Sequence, residues 1–122
     1  MDKSSTLELL EFILESIRLI ERRFVDIQSG DDFLANDDGL DKLDAISMRV
    51  QSIGEALKNL YKRELPLLEQ VASKDYWRTI IKARDFISHH YVDLDAETIF
   101  DICQNELDEL KSYVEKLKSL VC

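Results

Sequence analysis

Apolar positions along the chain recur at steps of three and four. In residues 5–28 they fall at Leu10, Ile13, Ile17, Ile20, Phe24 and Ile27, one stripe along an α-helix. Residues 29–39 (SGDDFLANDDG) interrupt the stripe with Gly, Asn and Asp and predict a loop. Its acidic side chains fit a solvated loop better than a docking element. A second stripe, Leu40, Leu43, Ile46, Val50, Ile53, Leu57 and Leu60, predicts a helix capped by Asp37 or Asp38. Gly54 lies inside it, at a cost of about 1 kcal/mol against Ala; a close crossing by another helix would explain it. Pro66 ends this helix and biases Leu65 toward extended backbone. The stretch LPLLEQVA around it reads as a short helix or an ordered loop. A third helix starts near residue 74 and carries Trp77, Ile80 and Ile81 toward two histidines. Asp95 can cap a fourth, whose stripe runs Ile99, Cys103, Leu107, Leu110, Val114, Leu117 and Val121. The expected fold is all-α: an antiparallel up-and-down bundle of four main helices plus a short fifth, in one domain over residues 1–122.

Composition agrees with that pattern. A chain of 122 residues can bury a core without disulfides. Its three glycines and one proline suit long helices better than many short strands. No apolar run is long enough to span a bilayer, and the first residues lack the pattern of a signal peptide. Cys103 and Cys122 lie far apart and outside any metal-ligand spacing, so the expected setting is a reducing cytoplasm, with Cys103 in the core and Cys122 exposed.

Charge changes the picture more. The net charge of −9 argues against a simple nucleic-acid coat. Residues 31–44 and 93–122 each carry −5, whereas residues 58–84 carry seven bases against three acids. This basic segment leads directly into Arg84-Asp85-Phe86-Ile87-Ser88-His89-His90-Tyr91, which holds both histidines of the chain. Scattered charges on solvated helix faces and a local anion site both fit this distribution.

Arg and His together suit one chemistry well. Histidine moves protons near neutral pH, and the guanidinium fork matches phosphate oxygens. The pair can cleave a phosphodiester without metal: His takes the proton of a ribose 2′-hydroxyl and Arg stabilises the charge of the transition state. RNA would be cut and DNA spared. Adjacent histidines project about 100° apart on a helix and do not share a ligand face. Neither zinc spacing nor a Walker loop, nucleophile elbow or dinucleotide fingerprint is present. Histidines that merely meet the dipole at a helix C-terminus are the structural alternative. Arg84 and His89 also lie roughly 140° apart around a straight helix. To act on one phosphate they need a helix end or bend near Ser88, or a second chain. A symmetric dimer facing two copies of the motif across a cleft would supply both a base and an acid. Asp85 and His89, four apart, are helical neighbours.

The octapeptide resembles the R-x-x-x-x-H-x-Y motif of the HepT-like toxins, within the HEPN superfamily of all-helical ribonucleases. Ile53-Gly54-Glu55-Ala56-Leu57 is similar to a segment of that family's second helix. Leu65-Pro66 and Tyr76-Trp77-Arg78-Thr79-Ile80 resemble its proline linker and the Trp preceding the motif helix, and Val92-Asp93-Leu94-Asp95 with Thr98-Ile99-Phe100 resemble the approach to its last helix. The resemblance spans nearly the whole chain. It implies a metal-independent endoribonuclease with Arg84 and His89 as the catalytic pair and no cofactor. Asp85, where the family often has Asn, is implied as a supporting residue. Tyr91 matches the tyrosine that a minimal nucleotidyltransferase antitoxin (MntA-like) modifies with AMP in a type VII-like toxin–antitoxin pair; His90 takes the variable position. The implied partners are a second copy of the chain, that antitoxin, and RNA, tRNA among the candidates, with no membrane. Two other readings stand beside this one: a non-catalytic helical partner or substrate-binding subunit of a minimal nucleotidyltransferase, which the acidic total charge favours, and a dimerisation bundle without a site.

Overall fold

The computed structural model describes residues 3–89 and 95–122, with side chains for residues 4–84 and 95–122. The described residues form seven helices and no strand: α1 (Lys3–Phe24), α2 (Gly30–Leu34), α3 (Asp37–Arg63), α4 (Leu65–Glu69), α5 (Lys74–His89), α6 (Ala96–Asn105) and α7 (Leu107–Val121). The apolar stripes explain the packing. Leu10, Ile13, Ile17 and Ile20 of α1 are fully buried against α3 and α7. From α3, Leu43, Ile46, Val50, Ile53, Leu57 and Leu60 face both α1 and α5. α7 closes the core with Leu110, Val114 and Leu117.

Contacts between the long helices fix their directions. Lys111 reaches Glu21 at 3.3 Å and Lys118 reaches Glu11 at 4.0 Å, so α7 runs antiparallel to α1. Arg49 donates to Ser16 Oγ at 3.3 Å, and the start of α1 (Ser5, Glu8, Leu9) shares a depression with Asn59 and Arg63 at the end of α3. α1 and α3 are therefore antiparallel as well. The chain is an all-α bundle, as its periodicity predicts.

Three local expectations are corrected. Residues 29–39 are not simply a loop: α2 lies within them and buries Phe33 completely, packing on α3 and α6. The cap of α3 is Asn36, whose Oδ1 accepts from the Gly39 N–H at 2.8 Å, rather than Asp37 or Asp38, and Leu40 at the helix start is 40% exposed. Leu65 is the first residue of α4, not extended. The break falls at Glu64, and Pro66 occupies the first turn of α4, where a missing N–H costs no helical bond.

The last expected helix is two. Asp95 caps α6 as foreseen, its Oδ1 accepting from the Glu97 N–H at 3.0 Å. At Glu106 the helix then stops and restarts as α7. The stripe passes through the break in step from Cys103 to Leu107 and Leu110, which hides it from periodicity.

Candidate active site

The site is built on α5. Trp77, Ile80 and Arg84 follow one another at helical spacing, and all three are buried. Arg84 thus takes the next place of the apolar stripe. Trp77 fixes the start of the helix: its indole N–H donates to the Leu68 carbonyl at 3.0 Å, tying α5 to α4. Tyr76 stacks edge-on against Trp77 and against Tyr113 of α7, with both centroid separations at 5.0 Å.

Close helix approach places Arg84. A methyl group built on Gly54 of α3 would lie 2.5 Å from Arg84 Cβ and 3.2 Å from its Cγ. Only a residue without a side chain lets α5 lie this near to α3, so the crossing expected for Gly54 falls at Arg84 itself.

Arg84 is 2% exposed. Its Nη1 donates to Glu106 Oε1 at 3.4 Å, across the junction of α6 and α7. Its Nη2 is buried and has no hydrogen-bond partner among the described residues, and the same holds for the Tyr76 hydroxyl. Burial lowers the Arg84 pKa from its ordinary value, while the charge and hydrogen bond of Glu106 oppose that shift. An arginine stays protonated even so. Burial also pushes the Tyr76 phenol well above its ordinary range, helped by the charge of Glu109 and opposed by Arg84. The Cys103 thiol is pushed up to about 12 by burial, again against the pull of Arg84. Arg84 is thus a retained positive charge in the interior, with neutral Tyr76 and Cys103 near it.

The outer face of α5 has a different character. Lys74, Arg78 and Lys82 succeed one another at i, i+4 and i+8, and all three are exposed. None forms an ion pair with a described residue. They make a basic ridge along the helix that carries Arg84.

His89 is the last residue of α5, and the helix is unbroken from Arg84 to it. The side chains of Asp85 and His89, and the whole of His90 and Tyr91, lie outside the described residues. Among the described residues no group of three His, Cys, Asp or Glu is placed to hold a metal ion. An open groove between α1 and α7, lined by Glu11, Arg18 and Lys111 among others, includes neither Arg84 nor Glu106. Sequence reading missed two things here. The burial of Arg84 was signalled by its place in the α5 stripe. Glu106 carried no signal, since nothing local marks a carboxylate whose partner is 22 residues away.

The family model described as "Ribonuclease HepT-like" matches residues 13–117. A protein of Thermococcus cleftensis named "Probable ribonuclease HepT" is 31% identical over 121 residues, covering 95% of this chain and 98% of the relative. Two proteins of Methanocaldococcus jannaschii also match. One, named a "Putative RNase", is 31% identical over 77 residues, 62% of this chain and 60% of its own length. The other, named a "Gamma-glutamylcyclotransferase and putative RNase", is 29% identical over 110 residues, 88% of this chain and 45% of its own length. The chain therefore spans about half the length of these two relatives. No solved structure gives a significant match.

Proposed function

We propose that this chain, which belongs to the HepT-like ribonuclease family, is a metal-independent endoribonuclease and the toxin of a type VII-like HepT/MntA toxin–antitoxin pair, acting in the cytoplasm. One observation carries the reading: a buried guanidinium whose Nη2 has no hydrogen-bond partner among the described residues stands five residues before the histidine that ends the same helix. The basic ridge on the outer face of α5 supports it, because it offers an approach for a polyanion on a chain of net charge −9.

The chemistry follows from the groups. His89 takes the proton of a ribose 2′-hydroxyl, and the 2′-oxygen attacks the adjacent phosphorus. The bond to the 5′-oxygen breaks, and that oxygen leaves as it gains a proton. The products are a 2′,3′-cyclic phosphate and a 5′-hydroxyl. Arg84 faces the extra negative charge of the five-coordinate phosphorus, where low dielectric strengthens the attraction. Nη1 is committed to Glu106, so Nη2 is the donor left for phosphate. At 2% exposure the guanidinium meets a phosphate only after the groups covering it move aside. Within one straight helix, Arg84 and His89 point roughly 140° apart. A homodimer with its cleft at the motif lets Arg84 of one protomer work with the histidine of its partner, and gives one His as base and one as acid. Asp85, four residues before His89, supports that histidine. AMP added to Tyr91 by the antitoxin places bulk and negative charge beside the cleft and repels RNA.

Incubation of the purified chain with RNA in EDTA tests this. Cleavage with 2′,3′-cyclic phosphate ends, lost in His89→Ala, is expected, as is a mass gain of one AMP at Tyr91 after co-expression with a minimal nucleotidyltransferase. Intact RNA and an unmodified Tyr91 would instead support a second reading, a non-catalytic helical partner or substrate-binding subunit of the nucleotidyltransferase. The acidic net charge favours that reading, and under it His89→Ala changes nothing.

A further inference from the structure

We infer that Glu106 is the positioning residue of the site: its carboxylate fixes Arg84 through Nη1 so that Nη2 is presented to the phosphate. The inference rests on the ribonuclease reading and adds a residue to it.

Glu106 stands at the junction where α6 stops and α7 starts. An acidic side chain at such a cap commonly accepts from the first N–H groups of the next helix. Glu106 makes no such cap bond. Its backbone is nonetheless held on both sides, the N–H donating to the Ile102 carbonyl at 3.0 Å and the carbonyl accepting from the Leu110 N–H at 3.2 Å. The side chain is thus projected from a fixed point, and its carboxylate meets Arg84 Nη1 at 3.4 Å.

The two partners differ in exposure. The Arg84 side chain is 1% exposed and that of Glu106 is 37%. Arg84, closed off from solvent, therefore depends on Glu106 as a hydrogen-bond acceptor far more than the reverse. From the other side Gly54 admits the stem of Arg84 with no room to spare. The Arg84 side chain is thus restrained at both ends, the stem at Cβ and the head at Nη1. The atom this leaves unpartnered among the described residues is Nη2. With one prong anchored, the other is left to donate to a phosphate oxygen.

The experiment compares Glu106→Ala, Glu106→Gln and Glu106→Asp with the wild type in RNA cleavage. It also measures binding of an uncleavable RNA carrying 2′-O-methyl groups, with thermal melts of every variant. Glu106→Ala is expected to lower kcat about ten- to a hundredfold, the effect of losing one charge-assisted hydrogen bond. Glu106→Gln keeps an oxygen acceptor at the same reach and restores most of that loss. Glu106→Asp keeps the charge, folds as the wild type does and falls short of Nη1, so it cleaves slowly. This order, Gln above Asp, is one that a purely electrostatic role does not give, and unchanged melting midpoints across the three variants separate it from a loss of stability. In binding, the double variant Arg84→Ala, Glu106→Ala is expected to be no weaker than Arg84→Ala alone. If Glu106→Ala does not fold, the Gln and Asp variants decide. A cleaving wild type whose Glu106 variants cleave equally, or bind RNA more tightly, overturns this inference and leaves the ribonuclease reading standing. A wild type that neither cleaves nor binds RNA overturns both.

Discussion

Gly54 and Arg84 meet as a pair of choices that make sense only together. A glycine inside α3 costs about 1 kcal/mol against alanine in helix propensity, so Gly54→Ala at an open site would stabilise the chain. Here the new methyl group would lie 2.5 Å from Arg84 Cβ, an atom bonded directly to the backbone that cannot swing aside. Overpacking of this kind costs about 1–3 kcal/mol and outweighs the propensity gain. Gly54→Ala is therefore expected to lower stability in thermal or urea unfolding, with a loss of cleavage as Arg84 is displaced; an unchanged or raised midpoint would contradict the close approach. Part of this was legible in the sequence. A glycine within a clean apolar stripe signals a crossing, and the octapeptide from Arg84 to Tyr91 singles out the arginine. Its contact with Glu106 was not legible, because an ion pair between distant residues is made by the fold and leaves no local pattern.

At the scale of elements, the long stripes were readable and the short pieces were not. α1, α3 and α7 each present several turns of one apolar face, and the pattern determines them. α2 has five residues, too few for a period, and its Asp and Gly content reads as loop. Phe33 makes it structural: the ring is fully buried and lies 6.4 Å from Phe24, which in turn is 5.3 Å from Phe100. Phe33→Ala is expected to cost about 3–5 kcal/mol in urea unfolding, the range for a fully buried Phe. A cost below about 1 kcal/mol would restore the picture of a solvated loop. The break at Glu106 escaped for the opposite reason, since the stripe continues through it without a Gly or Pro to mark the place.

For the molecule as a whole, charge and proton linkage give two expectations. Burial raises the pKa of both Cys103, from 9.0 to about 12, and Tyr76, from 10.0 upward. The unfolded chain loses these protons first, so stability is complete below about pH 9 and falls as pH rises through the Cys103 value of about 12. Urea unfolding between pH 8 and 11 reads this; a flat profile would contradict the burial of both groups. The ridge Lys74, Arg78, Lys82 concerns binding instead. Each cation that meets a phosphate of single-stranded RNA adds about 0.7 to the slope of log K against log salt. Removing all three charges is expected to flatten that slope by about 2, while reversing Glu115 on α7 leaves it unchanged. The overall bundle was legible from periodicity, and the sequence segment holding the ridge from its charge run. That the ridge and the buried Arg84 occupy different faces of one helix required the coordinates.

The most direct test uses three RNA oligonucleotides of one sequence with the purified chain in EDTA: unmodified, with a single 2′-deoxy sugar at the mapped cut, and with that deoxy sugar one position away. An Arg84–His89 site that works through the 2′-hydroxyl predicts cutting of the first and third, an intact second, and no cutting of any by Arg84→Ala or His89→Ala. Cutting at the deoxy position, or undiminished cutting by either variant, would contradict it.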